Sequence, residues 1–226
     1  DEAQINAAVS KVVADAFAPF RKAVEDAGMQ DVVADLSTVH IVERKPAADV
    51  FGIDVTDRKG NPMMPDTNIG PITTPAQYRK VLDYIEIAKQ QGATCVLGGG
   101  PAHDPALGDG WFVEPTAFTG VTPQMRIAQE EVFGPVLAVI PFDSDDEAIA
   151  IANGTLYGLA AGVWTADTAR ALRMAQELEA GTVWVNTYRV TSPLSPFGGV
   201  KRSGYGRELS AYGIREFVNV KTIWIK

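Results

Sequence analysis

The hydrophobic residues near the start of the chain recur every three to four positions, which is the spacing of one face of a helix. They predict a helix over 2–27 that Gly28 ends. Residues 38–57 are then expected to be extended, with apolar runs at Thr38–Val42 and Val50–Val55, and to close on a turn at Asp57–Gly60. The helical stripe consists of Ile5, Val9, Val12, Val13, Ala16, Phe17, Phe20 and Val24.

From residue 74 onward, short apolar runs alternate with amphipathic stretches. Thr74-Pro75 and the Ser144-to-Glu147 capping box mark two helix starts. Strands alternating with helices in this way predict an α/β fold with a mostly parallel sheet and helices on both faces. The predicted strands are 93–97, 111–118, 135–142, 159–164 and 182–186, and the predicted helices start at 74, 122, 144 and 167.

The last eleven residues depart from this alternation. Residues 216–226 form a lone apolar run with no helix after it. An apolar strand at a chain end is a poor open edge, because its unpaired backbone groups invite pairing with another chain. We therefore expect 216–226 to be an oligomerisation strand that pairs with another subunit, which predicts a homo-oligomer.

Composition and charge narrow the classes of function. The net charge of −8 opposes phosphate backbones and acidic membranes, so no nucleic-acid partner is expected. No apolar run reaches the roughly 18 residues of a membrane span, and the first residues lack the basic stretch and apolar core of a signal peptide, so we expect none. The single cysteine, Cys95, is compatible with a reducing compartment, and we expect a cytoplasmic protein.

Several short motifs occur in a fixed order between residues 61 and 208. They are Asn61 to Pro71, Trp111 to Thr116, Gln129 to Val136 (QEEVFGPV), Tyr157-Gly-Leu159, Gly181 to Asn186 (GTVWVN), and Ser195 to Glu208 (SPFGGVKRSGYGRE). In this order they resemble the C-terminal half of the aldehyde dehydrogenase superfamily, over roughly residues 61–226. The resemblance implies the catalytic-domain fold of that family over 61–215, with the oligomerisation strand at 216–226. Residues 1–60 carry no pattern of recognised type.

The resemblance also implies a chemistry. The family oxidises aldehydes to carboxylic acids with NAD or NADP, by way of a cysteine nucleophile and a glutamate that activates water. By the family pattern, Glu131 accepts hydrogen bonds from the nicotinamide-ribose hydroxyls and Phe133 packs near the nicotinamide. Phe197 lines the aldehyde entrance in the same pattern. An ionised carboxylate only accepts hydrogen bonds, which suits a diol.

The chain departs from the family pattern upstream of these motifs. The family's nucleophile lies in a "G-Q-x-C" segment and its base in an "E-L-G-G-K" segment, and neither segment occurs in residues 1–60. No dinucleotide-binding fingerprint or phosphate loop is present either. We therefore expect no catalytic residue in this chain, no tight binding of NAD or NADP, and no turnover of aldehyde by the chain alone.

The remaining reactive side chains favour structural roles. Cys95 follows a predicted helix within an apolar strand, and such a cysteine behaves as a small hydrophobic residue. His40 and His103 have no partner motif that would indicate a metal site, so no metal is expected. The Gly98–Pro101 run is interpreted as a turn, because no helix begins directly after it.

Three hypotheses remain open from the sequence. The first is part of an aldehyde dehydrogenase, with the remaining half lost or supplied by another chain. The second is a non-catalytic relative that has kept the oligomerising half as a binding or regulatory subunit. The third is an independent module, residues 1–60, fused to a remnant of the family. Neither the aldehyde nor the choice between NAD and NADP follows from the sequence.

Overall fold

The computed structural model describes residues 32–35, 39–43, 60, 67, 69–188 and 190–226, with 32–35 and 39–43 described through their backbone. The predicted helix over 2–27 and most of the predicted extended segment lie outside these residues. The strands are β1 (Val32–Asp35), β2 (Val39–Glu43), β3 (Thr94–Leu97), β4 (Thr116–Thr119), β5 (Val136–Phe142), β6 (Tyr157–Gly158), β7 (Ala160–Val163), β8 (Thr182–Val185) and β9 (Val200–Lys201). The helices are α1 (Pro75–Gln90), α2 (Arg126–Gln129), α3 (Asp145–Asn153), α4 (Thr168–Glu177) and α5 (Ser210–Arg215), with a 3-10 turn at Pro105–Leu107.

Seven of the strands form one mixed sheet in the order β3-β4-β5-β2-β1-β7-β8. The β4–β5, β2–β5 and β7–β8 pairs are parallel, and the β3–β4, β1–β2 and β1–β7 pairs are antiparallel. Helix α2 connects β4 to β5 and α4 connects β7 to β8, as expected of parallel crossovers. β6 and β9 pair as a separate two-stranded sheet. Strands and helices therefore alternate along the chain, as the predicted α/β fold requires.

The predicted helix caps are confirmed at atomic level. The hydroxyl of Thr74 accepts a hydrogen bond from the Gln77 amide at the start of α1, and the hydroxyl of Ser144 accepts one from the Glu147 amide at the start of α3. In return, the Glu147 carboxylate accepts from the Asp143 amide at 2.7 Å. These side chains satisfy amide groups that the first turn of a helix leaves without partners.

The hydrophobic core lies between the central strands and the helices α1, α3 and α4. Val81, Ile85 and Phe118 are fully or almost fully buried, and all seven residues of β5 except Pro141 are buried. Four apolar residues of α1 belong to this core or pack against it: Tyr78, Val81, Leu82 and Ile85. Burying such side chains contributes about 1.5–3 kcal/mol each, and it fixes α1 against the segment that follows α2.

Three details differ from the prediction. The strand expected over 111–118 is limited to β4, since Pro115 has no amide to donate to a ladder. The helix expected at Thr122 begins at Arg126, because Thr122 and Pro123 form a turn in which the Met125 amide donates to the Thr122 carbonyl. Helix α5 was not predicted. Residues 216–226 belong to neither of the sheets seen in the described residues.

None of the helices within the described residues is both long and apolar enough to cross a membrane.

Candidate functional site

The segment after α2 carries two of the three residues singled out in the sequence. Glu130 leaves the helix in an extended conformation, with φ −118° and ψ 144°. Glu131 is exposed, Val132 is completely buried and Phe133 is 71% exposed. Val132 thus anchors the segment in the core, and the carboxylate and the aromatic ring on either side of it are both open to solvent. We call residues 130–133 the acidic loop.

The backbone of the acidic loop is strained at Phe133. Its φ of 56° lies in the left-handed region, which a bulky residue other than glycine rarely adopts. Such a conformation costs on the order of 1–3 kcal/mol and persists only where its surroundings enforce it. The contacts of the loop with α1 supply that enforcement.

One face of α1 holds the acidic loop residue by residue. Gln77, Lys80 and Tyr84 are three and four positions apart, so they lie along one stripe of the helix. The Gln77 side-chain amide donates to the carbonyl oxygens of Val132 and Phe133, at 2.9 and 3.0 Å. Lys80 Nζ donates to the carbonyl oxygen of Glu131 at 2.7 Å. The Tyr84 hydroxyl donates to the carboxylate of Glu130.

The order of these contacts shows that the loop runs antiparallel to α1. Residues 77, 80 and 84 of the helix meet residues 132–133, 131 and 130 of the loop, in that order. Lys80 binds the backbone carbonyl of Glu131, and none of the described contacts involves the Glu131 carboxylate. This helix face was not recognised in the sequence, because three-and-four spacing is common to amphipathic helices and does not show which segment lies opposite.

The Glu130 carboxylate accepts three hydrogen bonds from two residues. It accepts from Arg126 Nε at 2.8 Å and from Arg126 Nη2 at 2.7 Å, in addition to the Tyr84 hydroxyl. Hydrogen bonds from Arg126, and then from Tyr84, lower the pKa of Glu130 to about 2. Burial, and then the hydrogen bond to Glu130, raise the pKa of Tyr84. Arg126 and Lys80 also lie 5.2 and 5.7 Å from the centre of the Tyr84 ring.

Phe197 lies in a different part of the structure. It is half-buried, and its backbone pairs with that of Glu208 through two hydrogen bonds of 2.9 and 2.7 Å. Arg207 Nη1 donates to the carbonyl oxygens of Gly199 and Gly206, at 2.8 and 2.6 Å. The two halves of the Ser195–Glu208 motif are therefore folded against each other. The described contacts do not join Phe197 to the acidic loop.

The GTVWVN motif packs against the Ser195–Glu208 motif at Gly181. A Cβ atom on Gly181 would lie 1.7 Å from the carbonyl oxygen of Gly198. Glycine is therefore required at this position by close backbone approach. At the other end of β8, the Asn186 side chain donates to the Thr165 carbonyl and accepts from the Thr165 amide, both at 2.9 Å. The GTVWVN segment is thus fixed at both ends.

The thiol of Cys95 lies on β3, in a half-buried position. Its Sγ donates to the carbonyl oxygen of Leu97 at 3.2 Å, and a Cβ on Gly99 would lie 2.8 Å from it. This is the packed environment expected of a structural cysteine. His103 is exposed, and the described residues contain no cluster of three or more His, Cys, Asp or Glu suited to a metal ion.

The C-terminal segment exposes most of its apolar side chains. Phe217, Val220, Trp224 and Ile225 are each 90–92% exposed. Because large apolar residues so close together form a hydrophobic patch, this segment has the character of an interaction surface.

Comparison with known proteins gives a consistent result. The model of the aldehyde dehydrogenase family matches residues 54–223. A betaine aldehyde dehydrogenase of Mesorhizobium japonicum is 50% identical over 169 residues, which are 75% of this chain and 35% of that protein. The chain thus spans about a third of the length of that relative.

Two solved structures agree in fold as well as in sequence. The crystal structure of PnpE from Pseudomonas sp. WBC-3 superposes with a TM-score of 0.73 at 47% identity, over 76% of this chain and 35% of that one. The NAD+ complex of an aldehyde dehydrogenase from Bacillus cereus superposes with a TM-score of 0.70 at 46% identity, over 74% and 33% of the two chains. These matches confirm the predicted α/β fold.

Proposed function

Because this chain belongs to the aldehyde dehydrogenase family, we propose that it supplies the nicotinamide-ribose contact and the aldehyde entrance of a site that oxidises aldehydes to carboxylic acids. NAD or NADP would accept the hydride in that reaction. The observation that carries the proposal is the acidic loop, in which an exposed carboxylate and an exposed aromatic ring flank one buried residue.

Glu131 has the properties that a ribose contact needs. Its carboxylate can accept from both hydroxyls of a diol, because an ionised carboxylate has two acceptor oxygens and no donor. Lys80 binds the backbone of Glu131, so the side chain remains available while the main chain is fixed. Phe133 presents a rigid, exposed ring beside it, on which a flat heterocycle can pack. The residues present therefore fit the ribose and the base of a nicotinamide nucleotide.

The loop alone holds such a cofactor weakly. One hydrogen bond to a charged group contributes about 1.5–3 kcal/mol, whereas even a millimolar dissociation constant corresponds to about 4 kcal/mol. The proposed contact therefore orients a nicotinamide nucleotide but does not bind it tightly. We infer that the 226 residues bind NAD no more tightly than millimolar.

The chain carries no thiol suited to the nucleophile's role. Cys95 is the single cysteine, and its Sγ donates to a backbone carbonyl within β3. Aldehyde oxidation in this family needs a thiolate that attacks the carbonyl carbon, and a packed strand thiol does not meet that need. The chain by itself is therefore proposed to turn over no aldehyde. The proposed role of Phe197 is separate: it contributes to the wall of the aldehyde entrance.

The proposed partner of the C-terminal segment is a second copy of the chain. Residues 216–226 present an apolar surface that neither sheet of the described residues covers. A strand-forming sequence of this kind is suited to pairing with the sheet edge of another subunit. We infer a homodimer or a larger homo-oligomer.

One observation favours a second candidate, a non-catalytic oligomerising or regulatory relative. The surroundings of Cys95 are structural, so the described residues offer assembly surfaces but no thiol nucleophile. In that case the acidic loop has no cofactor to bind. The two candidates therefore differ in whether Glu131 and Phe133 contact a nicotinamide nucleotide.

A titration of the ¹⁵N-labelled chain with NAD+ up to about 10 mM tests the proposal. We expect amide resonances of residues 131–133 to move without saturating below the millimolar range. Glu131→Gln should abolish the movement, while Glu114→Gln, a carboxylate outside the loop, should not. If no resonance of the loop moves, the regulatory candidate is favoured. Aldehyde turnover above about 1 s⁻¹ would contradict the proposed inactivity of the chain alone.

A further inference from the structure

The acidic loop contains two adjacent glutamates whose surroundings differ. The Glu131 side chain is exposed and without a described partner, whereas the Glu130 carboxylate accepts from Arg126 and Tyr84. From these contacts we propose that Glu130 is a positioning residue: it fixes the acidic loop on α1 and thereby sets the place of Glu131 and Phe133. The effect of Glu130 on cofactor contact rests on the proposed function, whereas its effect on the position of the loop does not.

The contacts of Glu130 reach both elements that border the loop. Arg126 is the first residue of α2 and binds Glu130 with two nitrogens, in a bidentate pair across one helical turn. Tyr84 comes from α1, is 91% buried, and donates to the same carboxylate. Glu130 is therefore a point at which α1, α2 and the loop are joined, and a buried phenol is a rigid anchor for that point.

The extended backbone at Glu130 determines the direction in which the Glu131 side chain points. Glu130 has extended dihedral angles, and successive side chains of an extended segment point to opposite sides. Once the Glu130 side chain is held against Tyr84, the Glu131 side chain is turned away from the helix. The carbonyl of Glu131 faces Lys80 on α1, which agrees with this orientation.

The strained Phe133 depends on the same anchor. The left-handed φ at this position has to be enforced from outside the residue. Gln77 does this at one end of the loop through two carbonyl oxygens, and Glu130 does it at the other end through its side chain. Loss of the Glu130 anchor leaves the loop held from the Gln77 end and at Lys80, so the loop is expected to loosen.

The charge of Glu130 persists over the range in which the protein would work. Hydrogen bonds from Arg126 and Tyr84 hold the pKa of this carboxyl near 2, so the anchor does not depend on protonation near neutral pH. A role for Glu130 as a proton donor or acceptor is therefore disfavoured.

The Gln77 side-chain amide reports on the position of the loop without any ligand. Its Nε2 donates to Val132 and Phe133, so the chemical shifts and the hydrogen-exchange rate of that NH₂ group follow those carbonyl oxygens. In Glu130→Gln we expect these exchange rates to rise about two- to fivefold, the range for the loss of a partly exposed ion pair. Tyr84→Phe, which removes the hydroxyl alone, should change them in the same direction.

The chain offers a matched control in Glu177→Gln. Glu177 pairs with Arg173 across one turn of α4, with side-chain exposures of 46% and 44%, against 41% and 47% for Glu130 and Arg126. The control removes an ion pair of the same spacing and exposure away from the loop, and it should leave the Gln77 group unchanged. Arg126→Lys keeps a cation, so it should raise the hydrogen-exchange rates of the Gln77 group less than Arg126→Gln does.

The outcomes separate this inference from the proposed function. If Glu130→Gln and Glu177→Gln affect the Gln77 group equally, Glu130 does not position the loop. If only Glu130→Gln moves it, the inference stands, whether or not NAD+ perturbs the loop. If NAD+ also perturbs the loop of the unmodified chain, Glu130→Gln should weaken that perturbation at least about twofold at equal NAD+ concentration. An unchanged perturbation would overturn the functional consequence.

Discussion

Lys80 Nζ binds the carbonyl oxygen of Glu131 at 2.7 Å rather than its carboxylate. The cation thus fixes the main chain of the residue and does not neutralise its side chain. This separation matters because a carboxylate paired with a lysine would have to break that pair before it accepted hydrogen bonds from a diol. The arrangement keeps Glu131 positioned and available at once.

Gln77 makes the other backbone contacts of the acidic loop, and Gln77→Met should destabilise the protein. The substitution keeps the length of the side chain and removes two hydrogen bonds to carbonyl oxygens. At about 0.5–1 kcal/mol for each bond, we expect the free energy of unfolding to fall by about 1–2 kcal/mol. Urea unfolding measures this change.

The control for that experiment is Gln90→Met. Gln90 is the last residue of the same helix and is exposed, and the described residues provide no hydrogen-bond partner for its side chain. A surface substitution of this kind should change the free energy of unfolding by less than about 0.5 kcal/mol. Equal effects of the two substitutions would mean that the contacts of Gln77 with the loop contribute nothing.

The pKa of Glu130 gives the protein a specific acid sensitivity. Folding lowers this pKa from 4.5 to about 2, because Arg126 and Tyr84 donate to the ionised form. A group with a lowered pKa stabilises the fold fully above its unfolded value, and that contribution is lost as the pH falls through the folded value. The stabilisation from Glu130 is therefore complete above about pH 4.5 and decreases between about pH 4.5 and pH 2.

Comparison with Glu130→Gln isolates that contribution. The other carboxylates titrate in both proteins and cancel in the difference between their free energies of unfolding. We expect the difference to be constant above about pH 5 and to shrink toward pH 2, as measured by urea unfolding at a series of pH values. A difference that stays the same down to pH 2 would show that Glu130 is not paired in the folded protein.

The parts of the fold that the sequence predicted depend on local signals. Thr74 and Ser144 were identified as caps because a hydroxyl three residues before an amide is a local feature, and the structure confirms both. Gly181 was identified as the first residue of the GTVWVN motif, but its contact with Gly198 joins segments 17 residues apart. That close approach could not be inferred from either segment alone.

In the candidate site, too, residues within a motif could be identified from the sequence, and contacts between distant segments could not. Glu131 and Phe133 were identified through the family motif, and their roles remain predictions. Gln77, Lys80 and Tyr84 were seen as part of an ordinary helix, because nothing in their own sequence shows that a loop some 50 residues later lies against them. Side-chain contacts between distant segments depend on the packing of α1 against the sheet, which pattern reasoning does not resolve.

Close packing at Gly181 predicts a large effect for Gly181→Ala. The added methyl group would overlap the carbonyl oxygen of Gly198, a backbone atom that cannot move without shifting the Ser195–Glu208 motif. Overpacking of this kind costs about 1–3 kcal/mol. In thermal unfolding we expect a lower midpoint for Gly181→Ala, together with faster amide exchange at Phe197 and Glu208, whose backbones pair in that motif.

Gly100→Ala is the control for the packing effect. A Cβ on Gly100 meets no atom within 4 Å, and its φ is not in the left-handed region. The substitution should therefore be neutral or should stabilise the protein by up to about 1 kcal/mol, through a less flexible unfolded state. If Gly100→Ala destabilises the protein as much as Gly181→Ala, the cost would come from the loss of glycine itself rather than from the contact with Gly198.

The exposed C-terminal segment predicts the behaviour of Trp224→Lys in solution. Trp224 is 92% exposed in the single chain, and a tryptophan that becomes buried in an interface often contributes 2 kcal/mol or more to association. Trp224→Lys places a charge in the proposed contact and should weaken self-association at least about tenfold.

Leu172→Lys is the control: it makes the same kind of change at a residue of α4 that is 61% exposed, and it should leave association unaltered. Light scattering over a dilution series measures both variants. Because the substituted residue lies outside the core, circular dichroism should show an unchanged fold, so a shift toward the mass of one chain would reflect lost pairing. An unmodified chain that is already monomeric at micromolar concentration would contradict the proposed assembly.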